Sequence, residues 1–439
     1  MPATICVTTS ISTNADADRD DRRQRLVVCR ECDWVVALPH RALGQRAECP
    51  RCHHHLTGAA QRDTQQPLAW ALATLIVLAL VFVFPFLGFS TRGVGHVMSF
   101  IDTVHALSAD DYGLIAALLM ATTVVFPGIY LASLAYIAIA AQWRLALPRR
   151  IALARVMRPI EPWMMSDVFI VGVLVSLIKI ISLADIHMHG GFVAFCLYSA
   201  LLLRTTTLID WTALWDRLVP RPALPAHIRS AATGRSQALI ACGGCDTPYV
   251  RAEHEHCPRC GKKARAPHID RVQMTAALLL TATVLYIPAN LYPVLVTVQL
   301  GTAQPQTIAA GVLHLAAHGD WPIALVIFLA SIVVPIAKIL ALAWLCIATR
   351  RPQAEASLGR TRLFRITEKI GRWSMIDVFV VAVLATLVQA GSLMSIQPGL
   401  GVVAFAAVVI LTMIAAHTFD TRLLWPTHST HSTPEQNTC

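Results

Sequence analysis

Eight cysteines in this chain are spaced for metal chemistry. Cys29-x2-Cys32 is followed after 16 residues by Cys49-Pro50-x-Cys52, and Cys242-x2-Cys245 after 11 residues by Cys257-Pro258-x-Cys260. Each C-x2-C pair can form a tight turn whose backbone N–H groups point at the sulfurs. Two such turns close a tetrahedral four-sulfur site, which is all that a structural Zn²⁺ needs. Iron accepts the same geometry. Structural disulfides do not suit a reducing cytosol. A redox C-x2-C requires no second pair, and eight free thiols would leave two short polar segments with too little core to fold. The expectation is two four-cysteine sites with Zn²⁺ in each, iron being the alternative. His53, His54 and His55 follow a quartet that is already complete, so they are expected to be exposed rather than ligating.

The second chemically suggestive set lies within long apolar stretches. Lys179 stands one turn from Ser176, and Lys338 stands three residues after Pro335 and seven after Ser331. Each lysine is about 12 residues, roughly 18 Å of helix, from the nearer basic end of its stretch. A charge so deep in a bilayer costs roughly 3 kcal/mol or more and is expected to face a wet cavity or a partner. Lys179, Ser176, Lys338, Ser331, Thr386, Thr412 and Asn290 are therefore the transport-cavity candidates, although hydroxyls in such helices often bond only to their own backbone. Asp167 and Asp377 are weaker candidates, because a carboxylate in a first helical turn already suits the helix dipole. Pro85, Pro127, Pro288, Pro293 and Pro335 mark expected helix breaks, since a proline inside a helix frees a carbonyl. They fall in corresponding stretches (Phe84-Pro85-Phe86 with Ile287-Pro288, Pro127 with Pro335), a pattern that points to a site or hinge.

The elements that must hold these residues are membrane helices. Of 439 residues, 55% are hydrophobic and only 14% charged, which argues against several soluble domains. A hydrocarbon core about 30 Å thick needs roughly 20 apolar residues of helix. Eight stretches qualify: 68–90, 113–141, 164–186, 191–209, 273–298, 321–348, 374–396 and 399–418. The order of cysteine cluster and four stretches occurs twice. Trp163-Met164-Met165-Ser166-Asp167-Val168-Phe169 returns 210 residues later as Trp373-Ser374-Met375-Ile376-Asp377-Val378-Phe379, and Ile209-Asp210-x4-Trp215 as Phe419-Asp420-x4-Trp425.

The expected fold is thus an all-α polytopic membrane protein with eight transmembrane helices in two tandem four-helix modules, each preceded by a small four-Cys zinc-ribbon or rubredoxin-like module. The expected boundaries are a disordered tail at 1–25, a first metal module at 26–62, a first four-helix module at 63–216, a linker at 217–238, a second metal module at 239–267, a second four-helix module at 268–425 and a disordered tail at 426–439.

Arg144, Arg149, Arg150, Arg155 and Arg158 crowd one loop, and Arg350, Arg351, Arg360, Arg362, Arg365, Lys369 and Arg372 its counterpart. Positive loops stay cytoplasmic, so both termini and both cysteine clusters are expected in the cytosol. The formal charge of +10 is then explained by topology and anionic headgroups and makes no case for nucleic acid. On the opposite side, Val104-His105 aligns with Leu313-His314 and Asp111-Tyr112 with Asp320-Trp321; small amphipathic caps are expected there. With no G-x-S-x-G, Walker loop or histidine metal motif, the chain is not expected to be an enzyme.

The double C-x2-C…C-P-x-C, Ile287-Pro288-Ala289-Asn290-Leu291, Ala330-Ser331-Ile332-Val333-Val334-Pro335-x2-Lys338, Trp373 to Phe379 and Thr418-Phe419-Asp420 together resemble the paraquat-inducible protein A family, over about residues 26–425. The resemblance implies a bacterial inner-membrane protein with zinc-ribbon or rubredoxin-like modules. It also implies work beside a periplasmic mammalian-cell-entry-type (MCE) tunnel protein, with an outer-membrane lipoprotein completing the path and lipid as cargo. By the same resemblance, Lys179, Lys338 and Ser331 match positions of a central polar network. The first half departs from it: Phe126-Pro127-Gly128-Ile129-Tyr130 has no lysine where the second has Lys338. Intermembrane transport of lipid or another hydrophobic molecule is the leading expectation. An anchoring platform without cargo movement and a membrane redox protein with iron in the cysteine sites are the alternatives.

Overall fold

A computed structural model describes residues 4–6, 25–38, 45–57, 65–91, 94–109, 113–143, 145, 148–180, 185–225, 227–251, 254–263, 268–299, 302–317, 319, 321–351, 353–387, 389–390 and 394–426. The first ribbon is the antiparallel pair β2 (Arg25–Val28) and β3 (Val35–Leu38), with β1 (Thr4–Cys6) parallel to β4 (Arg46–Glu48) beside it. Helix α1 (Gln65–Val83) follows, then the hairpin β5 (Leu87–Thr91) and β6 (Val94–Met98), the cap helix α2 (Phe100–Ala109), and α3 (Gly113–Met120) continuing into α4 (Phe126–Gln142). The half closes with α5 (Arg150–Ile160), α6 (Ser166–Ile180), β7 (Asp185–Met188), α7 (Gly190–Leu208) and α8 (Trp211–Leu218).

The second ribbon is β8 (Leu239–Ala241) paired with β9 (Pro248–Val250). The series then repeats as α9 (His268–Leu291), β10 (Leu295–Gln299), β11 (Thr302–Gln306), α10 (Ile308–Ala317), α11 (Trp321–Phe328), α12 (Val334–Ala348), α13 (Ala354–Gly371), α14 (Ile376–Leu387), β12 (Gln389–Ala390), β13 (Met394–Pro398) and α15 (Leu400–Thr418).

Seven helices among the described residues are long and apolar enough to cross a membrane: Gln65–Val83, Gly113–Gln142, Arg150–Leu177, Gly190–Leu208, Asp270–Leu291, Ala324–Ala348 and Leu400–Thr418. Their outward faces carry large apolar side chains; Val83, Leu280 and Ile347 are each about two-thirds exposed or more (71%, 68% and 66%). Contiguous apolar surface on this scale marks a lipid-facing wall. The chain is a multi-pass membrane protein.

Four of the expected spans overshoot. Apolar runs 68–90, 164–186, 273–298 and 374–396 leave the helix and finish as strands, forming one antiparallel sheet β6-β5-β7 and another β11-β10-β13-β12 at the end of the bundle away from the ribbons. The turn chemistry explains why. Pro85 and Pro293 lie just past the ends of α1 and α9, so they mark where those helices stop and not the interruptions inside a helix expected of them. The residue before each proline is biased toward extended backbone. Each proline carbonyl then accepts the N–H of a glycine in the last helix of its half, Gly191 to Pro85 at 2.9 Å and Gly401 to Pro293 at 3.0 Å. A Cβ at either glycine would stand 2.6 Å from a carbonyl oxygen, so only glycine lets the turn dock there.

Pro288 lies within α9, while Pro127 and Pro335 each follow a π-helical turn, Ala121–Val125 and Leu329–Val333. Such turns are rare and concentrate at functional sites. The carbonyl that Pro127 leaves free, Thr123 O, accepts the Tyr198 hydroxyl at 3.0 Å and the Ser166 hydroxyl at 3.4 Å.

Helices α6 and α14, mates in the repeat, meet at the centre. Phe169 packs edge-on against Phe379 with centroids 5.6 Å apart, and a Cβ on Gly172 would lie 3.0 Å from Phe379 Cβ. The cap helices α2 and α10 occupy the places expected for the Val104-His105 and Leu313-His314 caps; Asp111, Tyr112 and Asp320 lie outside the described residues.

Candidate functional site: paired cysteine centres and a buried lysine

Each ribbon is made of two knuckles of one design. The residue after the second cysteine turns left-handed: Asp33 (φ 61°), His53 (56°), Asp246 (56°) and Gly261 (70°). Its N–H returns to the carbonyl of the first cysteine at 3.1, 2.9, 3.1 and 2.8 Å respectively. The sulfurs thereby converge. Cys29 and Cys52, Cys32 and Cys49, and Cys242 and Cys260 stand 3.5 Å apart, and Cys245 and Cys257 3.6 Å. A tetrahedron with metal–sulfur bonds of about 2.3 Å has edges of about 3.8 Å. All eight cysteines are buried, and each quartet lies within 4.8 Å, so two clusters could each hold a metal ion. Hydrogen bonds among neighbouring thiols, Cys32 first, hold Cys29 well below the ordinary thiol range, and Cys245 leads the same effect on Cys242. Burial first pushes Cys32 up, and bonds to Cys29 or Cys242 first push up Cys52, Cys257 and Cys260. Such a donor set suits a soft cation.

The ribbons dock crosswise, which the sequence reading missed. The first lies under the second half. There Arg365 of α13 bonds the Glu31 carboxylate and, at 2.8 Å, the Cys52 carbonyl. Arg422, from the turn after α15, donates to the Arg30 carbonyl at 2.9 Å, and the Arg51 guanidinium is sandwiched between Trp34 and Trp425, at 4.9 and 4.6 Å from the ring centres. The second ribbon lies under the first half. Arg155, the repeat mate of Arg365, donates to the Cys260 carbonyl, Arg158 meets Asp246 at 2.5 Å, and Arg259 bonds Asp216 at 2.7 Å and the Val219 carbonyl. The ribbons also touch each other through Arg30 on Asp246, and the segment leading into the second ribbon meets the first at the Trp34–Thr233 bridge.

Burial pushes the Glu31 carboxyl up, but hydrogen bonds from His54 and Arg365 outweigh it and leave it below the usual range. Asp216 behaves alike: burial raises it, and Arg221, Arg25 and Arg259 bring it down further. His54 is thus engaged with Glu31 (2.9 Å) and His55 with Glu48 (3.2 Å), while His53 is exposed. The signal was available: Arg51 and Arg259 stand at the same place in the two C-P-x-C turns, and Arg155 and Arg365 are 210 residues apart.

Lys338 is buried, as is Ser331 in the π turn above it. Counting along the helix makes Lys338 remote from polar groups, yet α13 rises to meet it: a Cβ on Gly371 would lie 2.7 Å from Lys338 Nζ. Glu368, one turn earlier on α13, and His417 of α15 stand 3.9 Å apart and both feel the Lys338 charge. The Asn290 amide donates to Tyr286 O at 2.9 Å, and the Tyr286 hydroxyl to Ile332 O, beside Ser331, at 3.4 Å.

Other candidates are placed differently. Ser176 is spent on the α6–α14 contact, donating to Gly172 O at 2.8 Å and Val380 O at 3.3 Å. Thr412 bonds Val409 O of its own helix. Asp167 is exposed and Asp377 half-buried in the first turns of α6 and α14. Lys179 is on α6 and Thr386 on α14, but their side chains lie outside the described residues. In the first half the Lys338 position is Tyr130, fully buried with its ring edge-on to Trp211.

A duplicated multi-pass helical bundle carrying two crossed four-cysteine ribbons is the class these features define. Residues 64–219 and 272–429 match the profile of the family described as Paraquat-inducible protein A. The chain belongs to the paraquat-inducible protein A family. It is 39% identical over 399 residues (91% of this chain, 95% of the other) to "Intermembrane transport protein PqiA" of Escherichia coli (strain K12). It is 29% identical over 406 residues (91% of each chain) to "Lipophilic envelope-spanning tunnel protein A" of the same strain. It is 27% identical over 412 residues (91% and 96%) to "Probable intermembrane transport protein" of Haemophilus influenzae. No solved structure matches the chain.

Proposed function

We propose that this protein is the inner-membrane subunit of an intermembrane transport pathway whose cargo is lipid or another hydrophobic molecule. Two relatives bear the name of an intermembrane transport protein and a third that of a lipophilic envelope-spanning tunnel protein. The observation that carries the reading is Lys338, a cation buried beside a π turn in a membrane-crossing helix. An amine in that setting needs anionic or strongly polar partners; Glu368 supplies one from within the protein, and a lipid headgroup is the further partner in this reading. Lys179, Ser331, Asn290, Thr386 and Thr412 complete the proposed polar path, with Ser176, Asp167 and Asp377 at its margins.

In this reading α14, 12 residues long, is the eighth span, paired with α6. The module boundaries follow the expected ones, the termini and ribbons are cytosolic, and the two sheets face the periplasm. There an MCE-type tunnel protein docks, and an outer-membrane lipoprotein completes the path. The ribbons hold zinc and brace the cytosolic face; no step of catalysis is assigned to them. Elemental analysis distinguishes zinc from iron.

The test is cargo flux into the tunnel partner by reconstituted wild type and Lys338→Ala. At least tenfold lower flux with an intact complex is expected. Unchanged flux in both Lys338→Ala and Lys179→Ala would overturn the reading in favour of a passive anchor.

A further inference from the structure

Beside the second ribbon lies a cleft of about 570 Å³ whose lining includes Arg149, Arg150, Arg155 and Arg259 with Cys260 and Gly261, and, among the described residues, no acidic one. Arg259 is occupied by Asp216. Arg155 spends one nitrogen on the Cys260 carbonyl, while its Nε is buried without a hydrogen bond. Among the described residues no carboxylate pairs with Arg149, Arg150 or Arg155. The cleft also receives the start of α5, whose first turn carries no acid and whose N-cap, Arg149, offers no side-chain acceptor. Helix N–H groups at such an end favour negative charge.

The repeat supplies an internal comparison. Arg365, 210 residues after Arg155, is neutralised by Glu31 of the first ribbon. The place of Glu31 in the second ribbon, 213 residues on, is Gly244. Arg360, the mate of Arg150, is likewise engaged, by the carbonyls of Ala348 and Arg351. One copy of the site thus contains its own anion and, among the described residues, the other lacks it. Three under-neutralised guanidinium groups around one opening repel each other unless an anion enters, and guanidinium forks match phosphate oxygens in pairs.

We propose that this cleft binds a phosphate group, carried either by an anionic lipid of the adjoining leaflet or by a soluble phosphate compound. Trp143, 69% exposed at the end of α4, and Leu145, 42% exposed, lie just before it in the chain, as an interfacial anchor would. The site is separate from Lys338, and its test does not depend on the transport reading.

Full-length protein in maltoside is titrated with inorganic phosphate, short-chain phosphatidylglycerol or short-chain phosphatidylcholine. Two variants are compared, Arg149→Asn/Arg150→Gln and Gly244→Glu. The first removes exposed or half-exposed cations, and the second supplies the carboxylate that the other half already has. Saturable binding by the wild type, at least tenfold weaker in both variants with their unfolding midpoints retained, is the expected result. Phosphatidylglycerol alone binding identifies a lipid source, and inorganic phosphate binding identifies a soluble one. Absence of saturable binding by every probe, or wild-type affinity in the arginine double variant, would overturn the proposal.

Discussion

At Arg365 one side chain ties a ribbon to α13 through the Glu31 carboxylate and the Cys52 carbonyl. The pair is part-buried (31% and 15% exposed), so its loss costs more than the 0–1 kcal/mol of a surface bridge and less than the 3–5 of a fully buried one. Arg365→Ala is expected to destabilise first-ribbon docking by about 1–3 kcal/mol, read as faster proteolysis within residues 25–57. The Glu31 carboxyl lies below the ordinary range. Its stabilisation is therefore complete above the unfolded carboxylate pKa of about 4.3 and is lost as pH falls through the lower folded value. Below about pH 4 the docking should weaken in the wild type but not in Glu31→Gln. The eight cysteines were legible from spacing alone, because four thiols at knuckle intervals allow little else. Lys338 was legible as a charge out of place. Its contact with Gly371 was not, since nothing local says that α13 climbs to the level of the amine.

The elements teach a different lesson. Among the described residues hydropathy located the seven helices long and apolar enough to cross a membrane, but the eighth expected span, 374–396, holds only the 12-residue α14. Four of the expected stretches ran past the ends of their helices, because an apolar strand and an apolar helix share the same composition. The informative residues were the prolines: Phe84-Pro85 and Tyr292-Pro293 end α1 and α9, and Gly191 and Gly401 receive the turns. Gly401→Ala places a methyl group about 2.6 Å from the Tyr292 carbonyl oxygen, so the turn must move. A cost of about 1–3 kcal/mol is expected, typical of overpacking, visible as a lower unfolding midpoint in detergent; Gly113→Ala, which meets nothing within 4 Å, should leave it unchanged. Pro335→Ala should relax the π turn around Ser331, detectable as slower amide exchange across Leu329–Val333 if the proline is what holds that turn open.

For the whole molecule, duplication was plain in the sequence and the crossing was not. Contacts such as Arg365 with Glu31 span 334 residues, and no periodicity reports which of two similar platforms a ribbon chooses. The crossing predicts that the halves are interlocked as well as adjacent. With a protease site inserted at residue 226 and cleaved in detergent, the two fragments should still co-purify. Adding Arg365→Ala and Arg158→Ala should increase their separation. If a metal sits in each ribbon, full-length protein should carry two equivalents per chain. Cys49→Ser and Cys257→Ser should each remove one, the former raising amide exchange in α13 and the latter in α5.

The crossed docking also sets a schedule for synthesis. The first ribbon is complete at residue 57, but its platform ends only at Trp425, 368 residues later. At roughly 5–20 residues per second, the ribosome leaves that quartet of thiols without a seat for roughly 20–70 s. A chain truncated anywhere in the second half would strand it permanently, whereas the second ribbon emerges beside a platform already made. Newborn copies of this protein should therefore be most vulnerable to oxidation and proteolysis at their oldest end.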